Sequence, residues 1–113
     1  MAGVVKREAA KRDLIQRWVW YAENASIEVA DRFLLAANAT LKDLARQPLT
    51  GQVVLCRRPD LEGMRRVPVG GGFGKTFLYY LPVAGGVDLV RVIHGSQDLA
   101  RIADIGELKP AAS

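Results

Sequence analysis

The chain has 113 residues, half of them hydrophobic and a quarter charged, which is the composition of one folded domain and not of a disordered segment. The formal net charge of +4 favours an acidic partner such as nucleic acid, a ribosome or an acidic protein. The single cysteine, Cys56, excludes an internal disulfide framework and a cysteine-based metal site, and no apolar run approaches the roughly 18 residues of a membrane span. We therefore expect one soluble, cytoplasmic domain over residues 1–113, with no cofactor, no metal and no membrane partner.

The first half of the chain predicts a helical hairpin. After Val4-Val5, a short apolar pair that suits an edge strand, apolar residues recur at spacings of three and four from about residue 8 to residue 22. Ser26 is a suitable N-cap for a second helix, which runs to about Arg46 and is stopped by Pro48. Because the connection between the helices is short, we expect them to lie antiparallel.

The second half predicts a sheet. Arg65–Val69 is strand-like, and Pro68 places it at an edge or a bulge. Lys75–Val83 and Val87–His94 are rich in β-branched and aromatic residues and are joined by a three-residue hairpin loop, Ala84-Gly85-Gly86. The fold class is therefore α+β, with an N-terminal antiparallel helical hairpin packed on a small, mostly antiparallel sheet.

The Val87–His94 run is expected to form a central strand, because both of its faces are largely apolar. Strict alternation sets Leu89, Arg91 and Ile93 against Val90, Val92 and His94. Residues 49–63 are expected to be irregular. A short last helix is expected from Asp98 to about Ala103, and the tail from about residue 106 is expected to be flexible.

The segment Val69–Thr76, VGGGFGKT, nearly matches a phosphate-binding P-loop. The motif requires glycine where Val69 stands and a helix after its lysine, whereas strand-like residues follow Lys75. A plain glycine turn is the better interpretation.

His94 is the only histidine, and it suits either a general acid or base or a structural hydrogen bond to the following turn. Arg65, Arg66, Lys75 and Arg91 come from the predicted sheet and its ends. They form either a cationic patch for phosphates or an acidic peptide, or a solvated strand face.

Motifs spread over about 90 residues resemble the RelE/ParE superfamily of toxins from bacterial type II toxin–antitoxin systems, and the ParE or plasmid-stabilisation branch in particular. They are Ala10-x-x-Asp13-Leu14, Ala30-x-Arg32-Phe33, Leu44-Ala45-x-x-Pro48-x-x-Gly51, Leu61-x-Gly63-x-Arg65, Phe77-x-x-Tyr80 and Arg91-Val92-Ile93-His94-Gly95-x-x-Asp98-Leu99. The chain departs from many relatives at Gln97, where they carry a basic residue.

The resemblance implies a growth-inhibiting toxin that forms a hetero-oligomer with a cognate antitoxin. Its implied target is DNA gyrase for ParE-like members, or mRNA on the ribosome for RelE-like members. Gyrase binding is the leading hypothesis, with Arg65, Arg66, Lys75 and Arg91 contacting target or antitoxin. A ribosome-dependent endonuclease using Arg65 and His94 is the first alternative, and a non-toxic protein-interaction domain is the second.

Overall fold

A computed structural model describes residues 3–95 and the backbone of residues 107–110. Within these ranges the chain forms two helices and six strands, with two short 3-10 turns at Pro48–Thr50 and Pro59–Leu61. The elements are β1 Gly3–Lys6, α1 Glu8–Asn24, α2 Ile27–Arg46, β2 Gln52–Cys56, β3 Arg65–Pro68, β4 Thr76–Val83, β5 Gly86–His94 and β6 Glu107–Pro110.

The helical hairpin is confirmed. The Ser26 hydroxyl accepts a hydrogen bond from the Val29 amide (3.1 Å), so it satisfies one of the donors that the start of α2 leaves without an intrahelical partner. The indole of Trp18 in α1 donates to the Asp31 carboxylate in α2 (3.0 Å) across the helix pair. No helix in residues 3–95 is both long and apolar enough to cross a membrane.

The strands lie in the order β1-β5-β4-β3-β2-β6, and every neighbouring pair is antiparallel except β1 with β5, which is parallel. The α+β fold class and the mostly antiparallel sheet are therefore confirmed, and Val4-Val5 lies in an edge strand as expected. Pro68 is tolerated because β2 pairs with β3 only at Arg65 and Arg66, so no ladder bond is lost at the proline.

The core has two parts, one on each face of the sheet. The part under the helices is built from Phe33, Ala37 and Leu41 of α2 against Leu78, Val92 and their neighbours. The part on the other face contains Val54, Leu61, Met64, Tyr79, Val90 and Ile93. The prediction that β5 is covered on both faces is confirmed, whereas the strand is central only in part: β4 pairs along it to His94, but β1 pairs only with Gly86–Leu89.

The strict alternation predicted for β5 is wrong, because the strand contains a bulge. Tyr79 pairs with Arg91 and Tyr80 with Leu89, which leaves Val90 without an opposite residue. Leu89 and Val92 consequently share the helix-covered face, whereas Val90 and Ile93 pack on the other. An extra residue in one strand cannot be seen from hydrophobic alternation when both faces are apolar.

The β4–β5 turn is tighter than predicted. Val83 pairs with Gly86, so Ala84 and Gly85 alone form the loop. Gly85 has φ +80°, and a Cβ on Gly86 would collide with the backbone of Gly3, which approaches along β1. Glycine at residue 86 therefore allows the parallel β1–β5 pairing.

Two further expectations differ from the structure. The segment 49–63, expected to be irregular, contains β2, whose run Val53-Val54-Leu55 is a strand signal between Gly51 and Arg57. Residues 107–110, placed in the flexible tail, form β6 on the edge of β2. The predicted helix from Asp98 to about Ala103 lies outside the described residues.

Candidate functional site

Helix α1 crosses the edge of β5 where pairing with β1 ends, and Asp13 fills this junction. β1 pairs with β5 only as far as Leu89, so the backbone amides of β5 beyond Leu89 have no strand partner on that side. The buried Asp13 carboxylate accepts from the Val92 amide (2.9 Å) and from Nε and Nη2 of Arg91 (2.8 and 3.0 Å). Arg91, predicted to belong to a cationic patch, thus helps to hold α1 on the sheet through a bidentate pair.

A pocket of about 220 Å³ lies beside this ion pair, between α1 and the adjoining ends of β4 and β5. Its lining includes Asp13, Gln16, Arg17 and Trp20 from α1, Thr76 from β4 and His94 from β5. It combines a histidine, an arginine and an aromatic ring in one concavity, and we take it as the candidate functional site.

His94 forms one wall of this pocket. Its Nδ1 lies 2.7 Å from the hydroxyl of the buried Thr76, the residue that pairs with it across the sheet. Partial burial lowers the pKa of the imidazole, and the positive charges of Arg17 and Lys75 lower this pKa further. The imidazole of His94 is therefore harder to protonate than a histidine side chain in water.

Trp20 and Arg17 form the opposite wall. The indole lies nearly parallel to the His94 ring, with centroids 6.4 Å apart and planes at 29°. The Arg17 guanidinium carbon is 5.1 Å from the centre of the same indole, within cation–π range. Sequence reasoning missed both residues. Their three-residue spacing on a predicted helix was the available signal, because it places them on one face.

Arg65 is the first residue of β3, beside Tyr80 of β4, and its side chain binds the backbone. Its Nη1 donates to the carbonyl oxygens of Leu49 (3.1 Å) and Gly51 (2.7 Å). Arg65 pairs with Tyr80, and His94 pairs with Thr76. These β4 positions are four residues apart, roughly 13 Å along a strand that rises about 3.3 Å per residue. The structure does not bring the predicted catalytic pair, Arg65 and His94, together.

Arg66 points to the opposite face of the sheet from Arg65. Its Nη1 donates to the Tyr79 hydroxyl (3.2 Å), and its guanidinium carbon lies 4.5 Å from the centre of the Phe77 ring. Lys75 is exposed in the loop before β4 and is near enough to influence His94. The four predicted cationic residues therefore do not form one patch. Arg65 and Arg66 lie on opposite faces of the sheet, Arg91 is paired with Asp13, and Lys75 lies near His94.

The remaining motifs have structural roles. The glycine-rich segment is a tight β3–β4 loop in which the Gly70 amide donates to the Thr40 hydroxyl of α2 (3.2 Å), and β4 follows directly, so the P-loop interpretation is excluded. The Cys56 thiol, at the end of β2, lies 3.4 Å from the Leu61 carbonyl oxygen. Within residues 3–95, no three His, Cys, Asp or Glu side chains are grouped to hold a metal ion.

Comparisons with known proteins agree with this architecture. A solved structure described as the chromosomal ParDE TA system from P. aeruginosa is similar to this chain, with a TM-score of 0.66 at 14% sequence identity. The match covers 85% of this chain and 98% of the other, and at this identity it supports the fold alone. No curated protein sequence matches. The model of the family described as "ParE toxin of type II toxin-antitoxin system, parDE" matches residues 4–99, and the chain therefore belongs to this toxin family.

Proposed function

We propose that this protein is a toxin that inhibits growth by binding DNA gyrase, and that it does not cleave RNA. Family membership supports the toxin role, and the ParE-like character of the chain favours gyrase over the ribosome. The observation that carries the choice of binding over catalysis is the separation of Arg65 from His94 along β4.

Cleavage of RNA by its own 2′-hydroxyl requires a group that moves a proton and cations that stabilise the charge on the phosphate. His94 is the only histidine, and its Nδ1 faces the Thr76 hydroxyl. Arg65 binds two carbonyl oxygens, and Arg91 is paired with Asp13. These contacts favour structural roles for the arginines that a nuclease would use.

The test is toxicity of His94→Gln, which keeps a polar side chain beside Thr76 but removes the titratable group. Loss of a general acid or base lowers rates by about 10²–10⁴-fold, so a nuclease would be inactivated. We expect His94→Gln to retain most of the growth inhibition. The purified chain should inhibit supercoiling by gyrase, and no cleaved mRNA should accumulate in induced cells. Primer extension showing cuts at ribosomal A-site codons, abolished by His94→Gln, would establish the nuclease instead.

The cognate antitoxin, we propose, packs its acidic tail across the helical hairpin and along an exposed edge of the sheet. The hairpin carries exposed apolar side chains, among them Ile15, Ile27 and Leu35, and β1 offers an edge on which Val5 is exposed. Exposed apolar side chains and an open strand edge are two features that an amphipathic, partly extended peptide uses. The net charge of +4 favours an acidic sequence in that peptide.

Two leucines of matched exposure test this surface. Leu35, on the hairpin, is 69% exposed, and Leu49, in the turn after α2, is 68% exposed. We expect Leu35→Glu to weaken antitoxin binding by at least about tenfold, whereas Leu49→Glu leaves it nearly unchanged. Affinity should also fall as salt rises. Equal effects of the two substitutions would place the interface elsewhere, and affinity independent of salt would indicate a mainly apolar contact.

A further inference from the structure

We infer that the outer edge of β2 is a strand-addition site for an extended peptide of a partner protein, and that the chain's own strand β6 is a displaceable occupant of this site. The inference goes beyond the proposed function, because it concerns the edge of the sheet opposite to β1 and holds whichever protein supplies the peptide. It rests on the directions of the backbone groups of β2, on the irregular pairing of β6 and on two exposed apolar side chains.

The backbone of β2 directs hydrogen-bonding groups to both of its sides. The Val54 amide donates to the Met64 carbonyl oxygen (2.9 Å), so Val54 faces the β3 side. Successive residues of an antiparallel strand direct their N–H and C=O groups to alternate sides, so those of Val53 and Leu55 point to the outer edge. An added strand therefore meets a donor and an acceptor at each of these two positions.

Strand β6 uses this edge incompletely. The pairs are Val54 with Pro110, Leu55 with Lys109 and Cys56 with Glu107. Leu108 is therefore an extra residue and forms a bulge. Pro110 loses no hydrogen bond, because Val54 directs its groups to β3. Within residues 107–110, Lys109 alone lies opposite an outward-facing residue in regular register, so we expect β6 to open at a low cost in free energy.

Two apolar side chains of β2 remain exposed beside this edge. Val54 packs in the core on one face of the sheet, so Val53 and Leu55 point to the other face. They are 36% and 46% exposed with β6 in place. A regular strand with apolar residues opposite both would cover them, and it would also bond to Val53, which the described pairing of β6 does not reach. Such a strand gains more from the edge than β6 does.

These features define the chemistry of the ligand. It is an extended segment of about five residues, antiparallel to β2 as β6 is, with apolar residues and free backbone amides opposite Val53 and Leu55. The net charge of +4 favours acidic residues at its ends. Because β6 is tethered to the same chain, it competes at an effective concentration on the order of 1 mM. Weakening β6 should therefore strengthen binding of the ligand.

Two neighbouring amides provide an internal comparison. The Leu55 amide faces β6, whereas the Val54 amide is bonded to Met64. Opening of β6 exposes the first amide and not the second, so hydrogen exchange measured by NMR should differ between them. In the free full-length chain we expect the Leu55 amide to exchange at least about ten times faster than the Val54 amide, after correction for intrinsic rates.

The binding experiment titrates the full-length chain with the blocked pentapeptide Glu-Val-Thr-Val-Glu. The same peptide with both valine amides methylated is the ligand control, since it keeps the charge and the side chains but loses the two donors that face β2. We expect the unmethylated peptide to bind with a Kd on the order of 1 mM and to slow exchange of the Leu55 amide. The methylated peptide should bind at least about tenfold more weakly.

A proline in β6 tests the competition. Lys109→Pro removes the backbone amide that faces Leu55. It should speed exchange at Leu55 at least about tenfold, leave Val54 unchanged and strengthen peptide binding about tenfold. Ser113→Pro, which lies beyond β6, is the matched control and should behave as the wild type does. Circular dichroism establishes that each variant is folded, and the two measurements on the unmodified chain do not depend on either variant.

Three outcomes would overturn the inference. Equal exchange of the Leu55 and Val54 amides in the free chain would show that β6 does not open separately from the sheet. Equal binding of the methylated and unmethylated peptides would show that no strand is added. Equal affinities of folded Lys109→Pro and Ser113→Pro for the peptide would place its contact away from β6. None of these measurements involves gyrase or RNA, so this inference and the proposed function fail separately.

Discussion

Two positions of β4 offer a comparison, Thr76 at the start of the strand and Tyr80 in its second half, towards the other end, because each presents a buried hydroxyl to the same, helix-covered face of the sheet. At one end the Tyr80 hydroxyl donates to the Pro48 carbonyl oxygen (2.6 Å) and accepts from the Gly51 amide (2.9 Å). Arg65 binds the same turn from the neighbouring strand. The backbone of the turn from Pro48 to Gly51 therefore covers the Tyr80 hydroxyl.

At the other end the Thr76 hydroxyl bonds to His94, and the space beyond is the pocket under α1. The two ends use similar side chains, a hydroxyl together with cationic or imidazole groups. The difference lies in what covers them. Gly51 lets the chain lie directly on Tyr80, whereas the half-exposed Trp20 leaves a gap beside Thr76 and His94. Whether a cluster of this kind is closed off or open to a ligand therefore depends on the segment that packs over it, and not on the residue types within it.

The largest effect should come from truncating a large side chain of the helix-covered core, to which Tyr80 also belongs. Phe33 is fully buried under the helices, and its ring contacts Tyr21 and Phe73 with centroids 5.4 and 5.5 Å apart. We expect Phe33→Ala to lower the free energy of unfolding by about 3–5 kcal/mol, as for other large core aromatics, measured by urea denaturation. A loss below about 1 kcal/mol would mean that the core collapses around the smaller side chain and that Phe33 contributes little to holding the helices on the sheet.

A smaller and localised effect is expected at the closed end. A Cβ on Gly51 would lie 2.5 Å from the Tyr80 hydroxyl and 2.8 Å from the Arg66 carbonyl oxygen, whereas a Cβ on Gly74 would meet nothing within 4 Å. Gly51→Ala should therefore cost about 1–3 kcal/mol through overpacking, and Gly74→Ala should be near neutral. Thermal unfolding of the two variants measures the difference. If both behave alike, the turn is not held as closely on Tyr80 as the contacts indicate.

The smallest expected effect is a difference in how Tyr80 and His94 make the stability of the fold depend on pH. Burial raises the pKa of Tyr80, so the unfolded chain loses that proton first, and stability is lost as pH rises through the range near 10. Burial and nearby cations lower the pKa of His94 below 6.5, so the unfolded chain takes up that proton first, and stability is lost as pH falls below this value. Denaturation across pH should show that Tyr80→Phe removes part of the alkaline loss alone and His94→Gln part of the acidic loss alone. If either variant changed the alkaline and the acidic loss of stability equally, this assignment would be contradicted.

The helical hairpin and the β4–β5 hairpin were predictable, because each depends on periodicity and on local caps or turns within a few residues. The site was not. The pairing of Arg91 with Asp13 joins residues 78 positions apart, and the pocket brings Arg17 and Trp20 of α1 next to His94 of β5. Such relations depend on which strand becomes whose neighbour, and local composition does not determine this.

The parallel pairing of β1 with β5 also has a consequence for the order of folding during synthesis. Gly3 pairs with Gly86, and Arg7 and Asp13 bind Asp88 and Arg91, so the first two elements find their partners only after most of the chain has been made. The helical hairpin can form early from local contacts, but the sheet on which it rests closes late, as expected for contacts of high sequence separation. A nascent chain therefore lacks the pocket and the β1 edge until β5 has left the ribosome, which delays any activity that depends on these surfaces.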